Sequence, residues 1–206
     1  MSGVTNSPRI AERRQATQAE ILAAAWELAL EEGLAGLSLR ALGRRVGMRA
    51  QSLYGYFASK NDIYDAMFAD GWRALLAEVE WPGEDDVVDR EAFKAGTHTM
   101  VAFCLADPVR YQLLFLRTLP GFEPSAGSYA IAVQLLERVQ EVSARLGITE
   151  PAHLDLQTAL VTGLTSQQIA NDPGGDRWIR LLDDALDMYL DHVLANRPTS
   201  DDRSSS

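Results

Sequence analysis

Apolar residues recur at helical spacing along this 206-residue chain, and no segment alternates apolar and polar residues between hairpin turns. A period near 3.6 residues lines apolar side chains along one helix face, whereas a half-buried strand needs a period of two. The pattern therefore predicts an all-α fold of about nine helices. The length suffices to bury a sizeable core without disulfides.

Signals for helix ends divide the first third of the chain. Thr17-Gln-Ala-Glu20 has the pattern of a capping box at the start of a first helix, and Gly33 is a stop signal. A second capping-box pattern, Ser59-Lys-Asn-Asp62, opens a fourth helix that we expect to continue to about Trp81.

Between these boundaries lie two shorter helices joined by a tight turn. Ser38 can cap a helix over residues 39–46, Gly47 permits the turn, and a third helix follows over residues 49–55. Two short helices with this connection form a helix-turn-helix unit, whose second helix can lie in the major groove of DNA.

The charge distribution agrees with a DNA-binding head. The net charge is −10, but residues 1–60 carry eight basic and five acidic side chains (+3), and the remainder carries 11 basic and 24 acidic side chains (−13). Phosphate binding requires local positive charge, so the asymmetry is more informative than the total.

The rest of the chain divides into further helices and flexible ends. Pro82-Gly83 breaks the chain, and we expect helices over residues 88–106, from 107–108 onward, and over 125–146, 151–171 and 175–195. The predicted organisation is a flexible arm (1–16), a helix-turn-helix domain (17–63), a helical ligand-sensing and dimerisation domain (64–197), and a disordered tail (198–206).

Composition limits the remaining classes. One cysteine, Cys104, and three scattered histidines provide neither a disulfide framework nor a metal cluster. The polar N-terminus lacks a signal peptide's apolar core, and no run of about 18 apolar residues occurs. We expect a cytoplasmic protein with no cofactor and no membrane contact.

Residues 38–63 resemble the DNA-binding signature of the TetR family of transcriptional regulators. The matching elements are the hydroxyl of Ser38, a helix two of small residues, Gly47, the pairs Leu53-Tyr54 and Tyr56-Phe57, and Lys60. The chain departs from the family at Arg49, where a Ser or Thr is frequent, and at Gln51, where a Gly is common. The resemblance implies a dimeric, ligand-responsive regulator, by family habit a repressor, on a palindromic operator.

The candidate DNA contacts come from chemistry and from the resemblance. Arg49, Gln51 and Ser52 lie on the first turns of helix three and can reach base edges, where Arg pairs with guanine and Gln with adenine. By resemblance, Tyr54 lies at the DNA face, and Tyr56 and Lys60 contact phosphates. The predicted DNA-binding set is Ser38, Arg40, Arg44, Arg49, Gln51, Ser52, Tyr54, Tyr56 and Lys60.

Other arginines leave two interpretations open. Arg40, Arg44 and Arg45 can reach phosphates from helix two or form a solvated face. Arg9, Arg13 and Arg14 can form a minor-groove arm or belong to an idle tail.

Large side chains in the body serve a core and can also line a cavity. A small apolar effector would contact some of them, with a few polar groups for orientation. The predicted ligand-binding set is Trp72, Phe93, His98, Phe103, Tyr111, Phe115 and Tyr129.

The last two predicted helices are apolar over more than one face. A surface helix needs one apolar stripe, so the excess indicates burial against a second copy in a four-helix interface; packing within one chain is the alternative. The predicted dimerisation set is Leu160, Gly163, Leu164, Trp178, Leu182, Leu186 and Tyr189.

Two other classes of protein fit the sequence less well. A small helical enzyme would need a nucleophile with its base, paired carboxylates at a cleft or a metal set, and none is recognisable around Cys104 or the acidic runs at Glu84 and Asp183. A helical adaptor without DNA binding is disfavoured by the intact basic head.

Overall fold

A computed structural model describes residues 7–195, and over this range the predicted all-α fold is confirmed. The tail from residue 198 and the first six residues of the predicted arm lie outside the described residues. A 3-10 turn at Ile179–Leu181 precedes the last helix. The helices are α1 (Ser7–Gly36), α2 (Leu39–Arg45), α3 (Ala50–Leu53), α4 (Lys60–Glu78), α5 (Arg90–Ala106), α6 (Pro108–Phe115), α7 (Ala126–Arg145), α8 (Pro151–Asn171) and α9 (Leu182–Ala195).

The first helix begins ten residues before the predicted capping box. The Thr17 hydroxyl donates to the carbonyl of Arg13 (3.1 Å), one turn earlier in the same helix, as Ser and Thr do inside helices. A flexible arm is therefore wrong for residues 7–16. Gly33 leaves helical geometry (φ 75°, ψ 163°), so the predicted stop is confirmed as a kink, after which the helix runs on to Gly36.

Other boundaries follow the predicted signals to different degrees. The capping pattern at Ser59 is confirmed, because the Asp62 amide donates to Ser59 Oγ (3.1 Å) and Asp62 Oδ2 accepts from the Ala58 amide (2.9 Å). α3 is shorter than predicted, and the expected helix over 175–195 starts only at Leu182 after the 3-10 turn.

The chain divides into two compact units, and neither is one continuous segment. The N-terminal unit contains the chain up to Arg73 together with Val109–Ala132, and the C-terminal unit contains Ala74–Pro108 together with the chain from Val133 on. The predicted boundary at residue 63 thus differs from this division, since α4 as far as Arg73 and most of α6 belong with the helix-turn-helix.

Each unit has its own apolar core. In the N-terminal unit, Ile21 of α1, Leu42 of α2 and Leu53 of α3 are fully buried, and so are Ile63 and Met67 of α4. Leu42 and Leu53 therefore serve as scaffold within this core. The core cluster of the C-terminal unit consists of Phe93, Val101, Leu146, Ile148, Leu182, Leu186, Tyr189, Leu190 and Val193.

Candidate DNA-binding site and ligand cavities

The helix-turn-helix is closed by local hydrogen bonds. Ser38 Oγ accepts from the Ala41 amide (3.2 Å), which confirms the predicted cap of α2. At the other end the Met48 amide donates to the Gly43 carbonyl (2.8 Å), and Gly47 has a φ of 67°. This is a Schellman turn, which requires a left-handed residue at the position of Gly47.

Gly43 is a structural determinant that the sequence interpretation did not single out. A Cβ atom at this position would lie 2.7 Å from the Met48 carbonyl oxygen and 3.3 Å from the Ala50 amide nitrogen. Both neighbours are backbone atoms of the turn and of α3. The missing side chain therefore allows α2 and α3 to approach closely, and only the glycine within a run of small residues hinted at it.

The start of α3 presents polar groups to solvent. Arg49, Gln51 and Ser52 are exposed, whereas Leu53 is fully buried and anchors the helix from behind. The Arg49 side chain makes no capping hydrogen bond, so the departure from the usual Ser or Thr leaves α3 without a side-chain cap. The ring of Tyr54 is 54% exposed.

The end of the α3 turn is held by α1. Arg14 Nη2 donates to the carbonyl of Gly55 (2.6 Å), and its guanidinium lies 5.3 Å from the ring centroid of Tyr56. Gln18 Nε2 donates to the Tyr56 carbonyl (3.3 Å). Arg14 thus positions the segment after α3 and is not part of a disordered tail.

The basic residues near this surface differ in their partners. Arg40 and Arg44 are exposed on α2, but Arg45 Nη2 contacts Glu31 Oε2 at 2.7 Å, and this hydrogen bond raises the pKa of Arg45. Arg45 is therefore engaged by α1, contrary to the possibility of phosphate contact. Lys60 Nζ donates to the Ala35 carbonyl (3.2 Å) and lies 5.2 Å from the Tyr64 ring centroid.

A cavity of about 480 Å³ lies within the N-terminal unit. Two predicted ligand residues, Phe115 and Tyr129, line it. Two more lie behind this wall, because the rings of Trp72 and Tyr111 pack on Phe115 with centroid distances of 4.9 and 5.4 Å. The remaining lining residues are Phe68, Leu113, Leu114, Leu116, Arg117, Leu119, Phe122, Glu123 and Pro124.

The loop that borders this cavity is tied to α4. Asp65 accepts three hydrogen bonds, from the Ser125 amide (2.7 Å), the Ser125 hydroxyl (2.9 Å) and the Ser128 hydroxyl (2.8 Å). Asn61 Nδ2 donates to the Gly121 carbonyl (3.4 Å). The cap of α7 itself is Ser125 Oγ, which accepts from the Ser128 amide (3.2 Å), and the Asp65 carboxylate ties this capped start of α7 to α4, a contact that no local pattern indicated.

The other predicted ligand residues belong to the C-terminal unit, so the predicted set does not form one site. Phe93 is buried and stacks on Tyr189 at a centroid distance of 6.2 Å. His98 is exposed, and its Nε2 lies 2.9 Å from Asp183 Oδ1. Phe103 is half-buried on α5. Neither Phe93 nor His98 borders the N-terminal cavity: Phe93 packs in the core of the C-terminal unit and lines a separate crevice there, and His98 is held by Asp183, so their role in ligand binding stays a prediction.

His98 belongs to an antiparallel ladder of two ion pairs and one hydrogen bond between α5 and α9. Lys94 Nζ lies 2.8 Å from Asp187 Oδ1, and Arg90 Nη2 contacts Asp191. The three basic residues and the three acidic residues each recur every four positions, so the ladder joins facing sides of the two helices.

Three residues of the predicted dimerisation set lie in the core of a single chain and not at its surface. Leu182 and Leu186 are fully buried and Tyr189 is 3% exposed within a single chain, so none can contact a second copy. The exposed apolar positions are displaced by one residue, to Leu181 (39% exposed) at the end of the 3-10 turn and Met188 (72%) on α9. The predicted periodicity was correct, but it marked the side of α9 that faces its own core.

The described residues contain neither a metal-binding cluster nor a membrane-spanning helix. No group of three or more His, Cys, Asp or Glu side chains has the geometry to hold a metal ion within residues 7–195. Over the same range, none of the helices combines the length and apolar character needed to cross a bilayer.

The fold and the exposed third helix define a helix-turn-helix protein of the all-α class. Residues 21–67 match the family model of bacterial regulatory proteins of the tetR family. The chain is 29% identical over 119 residues to the HTH-type transcriptional regulator Rv1816 of Mycobacterium tuberculosis, covering 55% of this chain and 51% of that protein. It therefore spans about half the length of the curated relatives it matches.

Solved structures agree with this class over most of the chain. The TetR-family transcriptional regulator PfmR of Thermus thermophilus superposes with a TM-score of 0.61 at 18% identity, covering 83% of this chain and 97% of that one. BioQ, solved with its double-stranded DNA operator, gives a TM-score of 0.61 at 18% identity, covering 86% and 98%. Residues 21–67 are thus similar to the DNA-binding segment of the tetR family, as the signature in residues 38–63 indicated.

Proposed function

We propose that the protein is a sequence-specific DNA-binding transcriptional regulator that binds a pseudo-palindromic operator as a homodimer. The observation that carries this proposal is that the first turn of α3 is exposed and directly follows the Schellman turn at Gly47. Arg49, Gln51 and Ser52 are solvated there, although the helix itself is anchored by buried Leu53. Base readout requires solvent-accessible polar side chains on a rigidly held helix, and α3 has this arrangement.

Base and phosphate contacts are divided by position. Arg49 and Gln51 read base edges in the major groove, and Ser52 and Tyr54 lie beside them. The exposed arginines of α2 and the N-termini of α2 and α4 face the backbone, where amide groups and the helix dipole favour phosphate. The proposed backbone contacts are Ser38, Arg40, Arg44, Tyr56 and Lys60.

The dimer forms through exposed seams on α8 and α9. Leu156 (44% exposed), Ala159 and Gly163 follow each other at spacings of three and four residues on α8, and nothing lies within 4 Å of a Cβ placed on Gly163. Leu181, at the end of the 3-10 turn, and Met188 on α9 provide the corresponding seam. Half-buried Leu160, Leu164 and Trp178 flank these seams. Such spacing suits a four-helix interface between two copies.

A small apolar effector binds the aromatic cavity of the N-terminal unit and releases the protein, acting as a repressor, from its operator. The cavity volume lies in the range of ligand pockets, and Phe68 on its wall belongs to α4. Because Asp65 and Asn61 tie the bordering loop to α4, a ligand that moves this loop also moves the helix that begins at Lys60. A coupling of about 1–3 kcal/mol would weaken operator binding roughly 5- to 150-fold.

Selection from a random DNA library followed by fluorescence anisotropy tests the DNA-binding proposal. We expect a pseudo-palindrome, and we expect Arg49→Ala and Gln51→Ala to lose about 1–3 kcal/mol and to relax base choice at single positions. Lys60→Ala should weaken all sequences alike and reduce the salt dependence. Arg138→Ala in the C-terminal unit is the matched control. Unchanged affinity and selectivity in all three head variants would exclude the head.

The neutral dye Nile red tests the cavity once an operator has been selected. The dye should gain fluorescence on the wild type and weaken its operator binding, because apolar burial favours a neutral ring system. Leu119→Glu places a charge on the cavity wall and should abolish both effects. Leu136→Glu, at an exposed position outside the cavity, should retain both. Equal dye responses in the two variants would exclude this cavity.

A further inference from the structure

A buried amide oxygen in the C-terminal unit lacks a partner. Gln157 of α8 is 8% exposed, and its Oε1 accepts no hydrogen bond. Leaving such an acceptor unpaired forfeits its hydration without replacing it, so buried side-chain acceptors nearly always have a partner. Gln157 lines a narrow crevice of about 40 Å³, with Trp81, Phe93 and Met100 among its walls. The crevice thus combines apolar rings with one acceptor that lacks a hydrogen-bond donor.

The crevice is the inner end of a larger groove. An adjoining groove of about 440 Å³ shares the lining residues Glu80, Trp81, Pro82, Ala92 and Gly96 with it. A Cβ placed on Gly96 would meet no atom within 4 Å, so bare backbone forms part of the shared wall and leaves room for a ligand. Crevice and groove together reach the volume of small-molecule sites.

The charged side chains that line the groove are all acidic. They are Glu78, Glu80 and Asp86, of which Asp86 Oδ2 already accepts from the Gly83 amide (2.7 Å). The nearby Arg145 does not line the groove, and its Nη2 donates to the Asp86 backbone carbonyl. Glu78 and Glu80 are exposed and take part in no recorded ion pair within the described residues. The acidic groove therefore favours a cation, and the crevice at Gln157 favours a neutral hydrogen-bond donor.

We propose that crevice and groove form a second ligand site, distinct from the cavity of the N-terminal unit, for an aromatic amine with a hydroxyl group at the end remote from the amine. The hydroxyl donates to Gln157 Oε1, the ring lies against Trp81 and Met100, and the ammonium group remains beside Glu78 and Glu80. Trp81 Nε1 is occupied by the Leu76 carbonyl (3.1 Å), which fixes its ring as a wall. The site does not depend on DNA binding.

Isothermal titration calorimetry of the full chain with three matched probes tests this site. Tyramine carries both groups, phenethylamine lacks the hydroxyl, and 3-(4-hydroxyphenyl)propionate replaces the ammonium group by a carboxylate. We expect tyramine to bind about tenfold more tightly than phenethylamine, because only its hydroxyl satisfies Gln157, and to exceed the acid by at least as much. No binding below about 10 mM, or equal affinities for the three probes, would overturn the proposal.

Variants assign the preference to individual residues. Gln157→Leu should remove the advantage of tyramine over phenethylamine, and Glu80→Gln should reduce the advantage of amine over acid. Gly96→Leu should abolish binding, because its side chain would occupy the space beside the shared wall. This variant tests the site even if Gln157→Leu does not fold. Gln140→Leu, an exposed glutamine of α7, is the control. Wild-type probe preferences in both Gln157→Leu and Gly96→Leu would refute the site, whereas failure of operator selection would affect only the proposed regulator.

Discussion

Replacing Gly43 by alanine should disturb the helix-turn-helix through one contact. The new Cβ would lie 2.7 Å from the Met48 carbonyl oxygen, so the turn must move outward by about half an ångström to reach ordinary contact. The opposing atoms belong to the backbone and cannot escape by changing rotamer. Overpacking of this kind costs roughly 1–3 kcal/mol, and alanine returns up to about 1 kcal/mol through its helix propensity. We expect a net loss of about 1–2 kcal/mol.

Thermal unfolding followed by circular dichroism measures this loss. For a chain of this size each kcal/mol corresponds to about 2–4 °C, so the midpoint should fall by roughly 2–8 °C. The matched control is Gly96→Ala, also inside a helix but with open space around the new Cβ, which should raise the midpoint by a few degrees at most.

DNA affinity provides a second measurement on the same variant. Displacing the turn also displaces α3, whose first residue, Ala50, has its amide nitrogen 3.3 Å from the new Cβ. We expect selected operator DNA to bind about tenfold more weakly, since base contacts depend on sub-ångström placement. A Gly43→Ala protein that is as stable as the wild type and binds the operator equally well would refute the reasoning.

Three further predictions concern stability, assembly and reactivity. Asp65→Ala removes the acceptor that ties the start of α7 to α4 and should lower the free energy of unfolding by about 1–2 kcal/mol in urea titrations; an unchanged midpoint would contradict the importance of this tie. Leu156→Glu should yield monomers in sedimentation velocity, while Leu136→Glu, at similar exposure on α7, should remain dimeric; dimers in both would place the interface elsewhere. Burial raises the pKa of the Cys104 thiol to about 12, so at pH 8 a thiol-specific disulfide reagent should label it only after denaturation, and rapid labelling of the folded protein would contradict this burial.

The boundary signals that the sequence predicted well are those whose partners lie within a few residues. Ser38 caps α2 through an amide three positions away, and Gly47 closes a turn whose hydrogen bonds span at most five positions. The Ser59 cap is equally local. Thr17 shows the limit of this logic, because the same short pattern also fits a hydroxyl in mid-helix.

The exposed residues of the candidate DNA surface could also be predicted from the sequence, since the resemblance covers α2, α3 and the start of α4. The ligand-binding set could not be predicted in this way, because apolar and aromatic residues form the same sequence pattern whether they line a cavity or fill a core. Phe115 and Phe93 illustrate this: one borders the N-terminal cavity, and the other is buried in the C-terminal unit.

The sequence by itself determined the all-α class, the order of the helices, the capped turn between α2 and α3 and the resemblance to a DNA-binding family. These follow from hydrogen bonds and periodicities that span no more than a few residues. Only the tertiary structure decided which face of α9 is exposed, what Arg14 holds, and that Gln157 Oε1 has no partner. Burial and long-range pairing depend on segments far apart in sequence, and a helix with two apolar faces does not itself reveal which one its own chain covers.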